Sequence, residues 1–228
     1  MNQQNNWSAK FSEALEKRNA QRVSAEPKWV KDLPLPIYWC EAKEVALFED
    51  AIKKLKSKKP RMIELGCAEA QYSHIFWKAT GGTNVCLDIL PRQIEVAKTY
   101  CPEAEFIHGY VGAQVHLGEI QEDNYGAKKI ALDSLISQDK RVDILHMDIQ
   151  GAETYVAEEL AEKQLYGFID FIFISTHLID VHSNRLDVVK HIPDYFTILF
   201  SQDDVAMSDG LVLARNERYK GDIDEQIS

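Results

Sequence analysis

The sequence predicts an α/β fold in which a seven-stranded, mostly parallel sheet carries helices on both faces. From residue 61 onward, short apolar runs alternate with segments of helical periodicity, which is typical of successive strand–helix–strand units. Residues 169–175 are almost continuously apolar, as expected for a strand that is covered on both faces. The last two strand-like runs are joined by a short turn at residues 208–210, so they predict a C-terminal antiparallel hairpin.

The individual elements follow from hydrophobic periodicity and from turn residues. A first helix over residues 41–56 stops before Pro60, and Pro91 begins a later helix at a position where proline is tolerated. Residues 111–137 predict an irregular crossover that contains a short helix near Ser134. The remaining predicted helices span 69–78, 91–100, 151–165 and 183–191, and the predicted strands span 61–65, 84–87, 105–107, 142–147, 169–175, 196–201 and 211–214.

The length of 228 residues favours one main domain, residues 61–228, preceded by a helical N-terminal extension, residues 1–60. Pro34 and Pro36 interrupt this extension, because neither can continue a helix. We expect the extension either to cap a ligand pocket or to mediate a homodimer. Its aromatic side chains would close over a substrate or simply pack against the core.

Composition and charge restrict the classes of partner that we expect this protein to bind. The net charge of -10 speaks against DNA as a partner, since phosphate binding needs a basic face. The four cysteines form no C-x-x-C pair, which makes a zinc or redox motif improbable. Neither an apolar signal segment nor a membrane-length apolar run is present, so we expect a cytoplasmic protein without a membrane partner.

The turn after the first predicted strand is the first candidate ligand site, because open α/β sheets bind ligands at the carboxyl ends of their strands. Glu64, Gly66, Cys67 and Ala68 are the residues predicted to contact a cofactor there. The dinucleotide fingerprint G-x-G-x-x-G is absent, since Ala68 and Gln71 replace its later glycines. A phosphate-free nucleoside suits this turn better than a pyrophosphate, although ordinary loop geometry is the alternative.

The next two strands end in further candidates. Asp88 follows the glycine turn by about twenty residues, a spacing at which a carboxylate accepts both ribose hydroxyls. The alternative is that Asp88 caps the helix that begins at Pro91. Gly109 and Tyr110 follow the third strand, where an adenine edge would lie. Tyr110 would stack on the base or pack in the core.

The candidate catalytic residues are Asp148, Glu153 and His177. Asp148 directly follows the fourth strand, where a substrate would meet the bound cofactor, so it is also a predicted cofactor contact, and Glu153 lies in the first turn of the next helix, beyond Gly151. His177 follows the fifth strand at the same predicted edge, beside Asp148. The alternatives are a helix cap for Asp148, a helix-dipole interaction for Glu153 and a structural role for His177.

Together these residues resemble the FkbM-type methyltransferase family. The resemblance covers residues 61–214 and includes the glycine turn, the Asp-x-x-Gly-x-Glu element from Asp148 to Glu153, the histidine at 177 and a Leu132-Asp133 segment before the fourth strand. It implies a class I, Rossmann-like fold, S-adenosyl-L-methionine as the cofactor, and O-methylation of sugars or natural products. The terminal hairpin also distinguishes the methyltransferase version of this fold from the dehydrogenase version.

Two versions of the chemistry are open. Asp148 or His177 would remove the proton of an acceptor hydroxyl, or Asp148 together with Glu153 or His177 would hold Mg²⁺ that acidifies the hydroxyl. We favour the metal-free version. The rival functions are an NAD-binding oxidoreductase, a non-catalytic nucleoside-binding module and an RNA methyltransferase. The turn after the first strand lacks the later glycines of a phosphate-binding loop, which counts against the oxidoreductase. The carboxylate at position 148 counts against a non-catalytic module, and the negative net charge counts against an RNA methyltransferase.

Overall fold

The computed structural model describes residues 42–112, 126–149, 151–177, 185–204 and 209–220. The chain divides into two compact units, Met1–Phe48 and Glu49–Ser228. In the first unit, the described part is the beginning of one helix. Most of the predicted N-terminal extension therefore lies outside the described residues, and its helical character and its proposed roles stay predictions.

The described elements are seven helices, one of them a short 3₁₀ turn, and eight strands. The α-helices are α1 (Ala42–Ile52), α2 (Gln71–Thr80), α3 (Pro91–Tyr100), α4 (Leu132–Leu135), α5 (Glu153–Glu162) and α6 (Arg185–Lys190), and the 3₁₀ turn is Leu165–Phe168. The strands are β1 (Arg61–Leu65), β2 (Thr83–Asp88), β3 (Glu105–Tyr110), β4 (Lys128–Lys129), β5 (Val142–Met147), β6 (Ile169–His177), β7 (Phe196–Asp204) and β8 (Asp209–Asn216).

The predicted fold class is confirmed. One sheet has the strand order β4-β3-β2-β1-β5-β6-β8-β7, and β8 pairs antiparallel with both β6 and β7 while the other neighbours are parallel. The chain first builds outward from β1 to β2 and β3, then returns to the other side of β1 as β5. This reversal of strand order lies between β1 and β5, and a crevice at such a point is where open α/β sheets bind ligands.

All seven predicted strands are present, and β4 is an eighth. It has two residues, Lys128 and Lys129, which pair in parallel with Gly109 and Tyr110 at the end of β3. A strand this short has no alternation to detect, and its pairing depends on the position of β3. The sequence therefore offered only an irregular crossover over this region.

The sheet separates two layers of helices. Leu65 and Leu145 face the main core, into which α5 inserts Leu160. On the opposite face, Cys86 packs in a second cluster with Ala97 of α3. Residues along one strand alternate between the faces, so neighbouring positions in β1 serve different cores.

Among the residues that the structure describes, none belongs to a helix that combines the length and apolar character needed to cross a bilayer.

Candidate functional site

The turn after β1 is held close to the ends of both neighbouring strands. The backbone N–H groups of Gly66 and Cys67 donate to the carbonyl of Leu87 on β2, at 2.8 and 3.1 Å. On the other side, the N–H of Asp148 donates to the carbonyl of Leu65 at 2.9 Å. The turn thus bridges β2 and β5 across the point where the strand order reverses.

Gly66 is required at this turn for two reasons. Its φ of +76° lies in the left-handed region, where a side chain is unfavourable. A Cβ at this position would also lie 2.0 Å from the carbonyl oxygen of Asp148, which is a backbone atom. Only a residue without a Cβ allows the end of β5 to approach the turn so closely.

Two alanines continue the turn in the same unusual conformation. Ala68 has φ +43° and Ala70 has φ +55°, and Ala70 directly precedes α2. Residues other than glycine in this region cost about 1–2 kcal/mol each, so the surrounding contacts must hold them there. Such strain is concentrated at functional sites, and it favours the predicted assignment of this turn to ligand binding.

Asp88 lies where the sequence placed it, at the carboxyl end of β2, and its carboxylate supports the turn. Its Oδ2 accepts the N–H of Ala68 at 3.0 Å and its Oδ1 accepts the N–H of Leu90 at 2.8 Å. Burial raises the pKa of Asp88, while the N–H donors of Leu90 and Ala68 favour its ionised form. Each carboxylate oxygen can accept more than one bond, so these contacts leave acceptor capacity for ribose hydroxyls.

Glu64 lies beneath the turn rather than on its open side. Its side chain is buried, and its Oε2 accepts the N–H of Ser73 at 3.0 Å, which attaches α2 to β1. Its Oε1 lies 3.5 Å from Nδ1 of His146 on β5. Burial raises the pKa of Glu64 to about 8 and lowers the pKa of His146 to about 3, so both groups are neutral around pH 7.

Sequence reasoning missed His146 and Ser73 as partners of Glu64. Glu64 and His146 are polar residues that lie between apolar neighbours in their strands, and a buried polar side chain predicts a partner. They face each other because Glu64 is in register with His146 in the parallel β1–β5 pair. The signal was therefore in the sequence, but the pairing depended on a register that the sequence does not contain.

The residues predicted to border the adenine lie at the end of β3, next to β2. Gly109 is buried and pairs with Lys128, and Tyr110 is half-buried. Cys67, in the glycine turn, is buried as well, with a relative exposure of 3%. These positions lie along one edge of the sheet with Asp88, as the sequence predicts. Their contacts with a cofactor stay predictions.

Asp148, Glu153 and His177 meet at the ends of β5 and β6. Nδ1 of His177 lies 2.9 Å from Oε1 of Glu153, and Nε2 of His177 lies 3.4 Å from Oδ1 of Asp148. The Glu153 side chain is 0% exposed, His177 is 11% exposed and Asp148 is 36% exposed. The three groups thus form a line that runs from the interior toward solvent, and Asp148 is at its outer end.

The two oxygens of Glu153 are also bonded to the loop between β5 and α5. Oε1 accepts the N–H of Ile149 at 3.0 Å, and Oε2 accepts the N–H of Gly151 at 2.8 Å. The first helical turn therefore folds its acidic side chain back over the preceding loop.

The residues present do not support the alternative in which the site holds Mg²⁺. No group of three or more histidine, cysteine, aspartate or glutamate side chains within the described ranges is arranged to hold a metal ion. The reason lies in Glu153, whose oxygens already accept backbone N–H groups and face away from solvent. Asp148 is then the one exposed carboxylate of the trio, whereas magnesium prefers several oxygen ligands.

Comparison with solved structures finds methyltransferases that are similar to this chain. An rRNA methylase from Streptococcus thermophilus has a TM-score of 0.51 at 10% identity, covering 79% of this chain and 99% of its own. A precorrin-6y C5,15-methyltransferase from Geobacter metallireducens gives 0.49 at 10% identity, with 81% and 94% covered. TrmK from M. capricolum, in complex with S-adenosyl-homocysteine, gives 0.44 at 12% identity, with 83% and 74% covered. The likeness to the rRNA methylase shows that the chain has the class I methyltransferase fold.

No protein-family model matches the chain, and no curated protein matches its sequence. A structural likeness at 10% identity shows a shared fold, but it does not show that the two proteins catalyse the same reaction. The resemblance to the FkbM-type family therefore stays a prediction that rests on the residues quoted for it.

Proposed function

We propose that the protein is an S-adenosyl-L-methionine-dependent methyltransferase that methylates a hydroxyl oxygen of a sugar or another small molecule. One observation carries this proposal. The strained turn at Gly66, the carboxylate of Asp88 and the pair formed by Asp148 and His177 all lie at the carboxyl ends of adjacent strands, around the reversal of strand order. That arrangement offers a nucleoside site beside a proton-accepting site.

The residues fit this cofactor better than a dinucleotide. The turn has one glycine where a pyrophosphate-binding loop has three, so a pyrophosphate would be poorly accommodated. Asp88 would accept the ribose hydroxyls, and Gly109 and Tyr110 would border the adenine. The bound cofactor would supply an electrophilic methyl group.

The outer residues of the site fit a hydroxyl acceptor. A neutral hydroxyl is a weak nucleophile, so its attack is faster when a neighbouring base takes its proton. Asp148 is the exposed end of the line that includes His177, and it is therefore the group that an entering hydroxyl would meet first. Holding that oxygen in line with the methyl group would supply much of the rate, about 7–11 kcal/mol in well-oriented systems.

Calorimetry tests the cofactor first. The full-length chain is titrated with S-adenosylhomocysteine and, separately, with NADH. We expect heat of binding with the former and none with the latter. Binding of NADH alone would favour an oxidoreductase, and the absence of heat with both compounds would refute the nucleoside site.

An acceptor panel then tests the reaction. Sugars, hydroxylated small molecules and short RNAs are incubated with the enzyme and the methyl donor, and S-adenosylhomocysteine formation is measured. With an acceptor found, Asp148→Ala is expected to abolish turnover while the affinity for S-adenosylhomocysteine stays within about threefold, because Asp148 is placed beyond the nucleoside. Asp139→Ala is the matched control, since Asp139 is an exposed acid in the turn before β5. Full turnover by Asp148→Ala would exclude the proposed role, and methylation of RNA alone would replace the proposed acceptor class.

A further inference from the structure

The hydrogen-bond pattern around Glu153 determines which nitrogen of His177 carries a proton. Backbone N–H groups can only donate, so the two oxygens of Glu153 act as acceptors toward Ile149 and Gly151. The same Oε1 is 2.9 Å from Nδ1 of His177. Since both oxygens of Glu153 already act as acceptors, Nδ1 of His177 fits this contact as the donor.

We propose that Glu153 is a positioning residue that fixes His177 with Nδ1 protonated and Nε2 directed at Asp148. The side chain does not reach solvent, so it acts through His177 and not on the substrate itself. The inference deepens the proposed function and rests on it for its consequence in turnover.

Glu153 also controls the position of Asp148. Ile149 follows Asp148 directly, and its N–H is held by the same Oε1 that holds the histidine ring. One buried carboxylate thus sets both ends of the 3.4 Å separation between Nε2 of His177 and Oδ1 of Asp148. That separation is slightly longer than an ordinary N–H···O bond, so a small shift of the loop or the ring decides whether a proton can be shared.

The consequence is a defined route for the proton of the acceptor hydroxyl. With Nδ1 committed to Glu153, proton exchange between this trio and the acceptor involves Asp148 and Nε2 of His177. The acceptor oxygen would bond to the methyl carbon as the bond from that carbon to the cofactor's sulfur breaks, S-adenosylhomocysteine would leave, and the O–H proton would pass to this pair. Partners that orient a functional histidine in this way typically change activity by about 10–100-fold when they are removed.

Nitrogen NMR of the full-length protein tests the assignment without any substrate. The protein is labelled with ¹⁵N-histidine, and His177→Gln identifies the His177 signals. We expect the wild type to show a protonated Nδ1. A His177 ring protonated only at Nε2 would overturn the proposal.

Glu153→Gln tests the cause. The amide keeps one acceptor oxygen but turns the other oxygen into a donor, so it cannot satisfy all three donors at once. We expect the His177 signals to shift or to split between two tautomers. Glu64→Gln is the matched control, because Glu64 is also buried, also accepts a backbone N–H and also lies beside a histidine, but not beside His177. Unchanged His177 signals in Glu153→Gln would overturn the proposal.

The rate of methyl transfer to an acceptor identified in the panel provides the third test. Glu153→Gln is expected to lower kcat about 10–100-fold while the KM for the methyl donor changes less than about threefold. An unchanged kcat would overturn the positioning role in catalysis. If the NMR result is as expected and S-adenosylhomocysteine does not bind, the proposed function fails by itself and the assignment of the tautomer survives.

Discussion

Replacing Gly66 with alanine would test two constraints on the turn after β1, its left-handed backbone and its close contact with the end of β5. The left-handed backbone at φ +76° should cost about 1–2 kcal/mol for a residue with a Cβ. The new Cβ would also lie 2.0 Å from the carbonyl oxygen of Asp148, whereas ordinary contact begins at 3.4 Å. The backbone of β5 and the turn must therefore move apart by more than about 1 Å, and such overpacking adds about 1–3 kcal/mol.

Gly81 provides a matched control. It also has a positive φ, +64°, where α2 ends, but nothing lies within 4 Å of the Cβ that an alanine would add. Gly81→Ala therefore measures the backbone cost alone, about 1–2 kcal/mol, whereas Gly66→Ala should cost about 2–5 kcal/mol in all.

Urea unfolding of both variants measures these costs, and titration with S-adenosylhomocysteine reports on the site. Gly66→Ala is expected to weaken this binding at least about tenfold, since the turn and the end of β5 cannot keep their positions. Gly81→Ala should bind as the wild type does. The reasoning fails if Gly66→Ala is no less stable than Gly81→Ala. The close contact between the added Cβ and the carbonyl oxygen of Asp148 would then not reduce the free energy of unfolding.

Three further predictions concern buried carboxyl groups. The folded-state pKa of Glu64 is about 8, above its ordinary value of 4.5, so the unfolded chain binds fewer protons between these values and stability falls as pH rises through them. Between about pH 5.5 and 7 the free energy of unfolding of the wild type should fall by about 1 kcal/mol per pH unit more than that of Glu64→Gln, which retains His146. Parallel pH dependences in chemical denaturation would contradict this. Asp88→Asn places an amide donor against one of two backbone N–H groups, so calorimetry should show affinity for S-adenosylhomocysteine reduced at least about tenfold. Asp143 accepts hydrogen bonds from the N–H of Arg61 and the hydroxyl of Tyr219. Asp143→Ala should therefore lower the free energy of unfolding by about 2–3 kcal/mol in urea titrations and leave the affinity for S-adenosylhomocysteine unchanged. A loss of this affinity would show that Asp143 is coupled to the candidate site.

Much of the fold could be predicted because the strands of this sheet are buried and the helices are amphipathic. The predicted bounds of β1, α3 and β5 match the structure, and the helix before β5 lies at Leu132–Leu135, within the predicted crossover. Other boundaries moved by a few residues, as β6 did when it extended to His177. Element ends depend on neighbouring strands that continue the ladder, and this information is not local.

The sequence predicted which residues belong to the candidate site, but it did not predict which groups their side chains contact. The rule that ligands bind where parallel strands end was enough to select Asp88, Asp148 and His177. It could not show that Glu64 lies beneath the turn, or that Glu153 folds back on its own loop. Both facts depend on which face of the sheet a side chain occupies and on how closely the chain folds around it.

The sequence by itself determined the alternation of strands and helices, the terminal hairpin and the edge of the sheet at which the polar residues gather, because burial patterns and turn residues are local properties of the chain. Only the tertiary structure decided the partners: His146 for Glu64, and His177 for both Glu153 and Asp148. Hydrogen bonds act over about 3 Å, so such partners become known only when strand register and loop path are fixed in three dimensions.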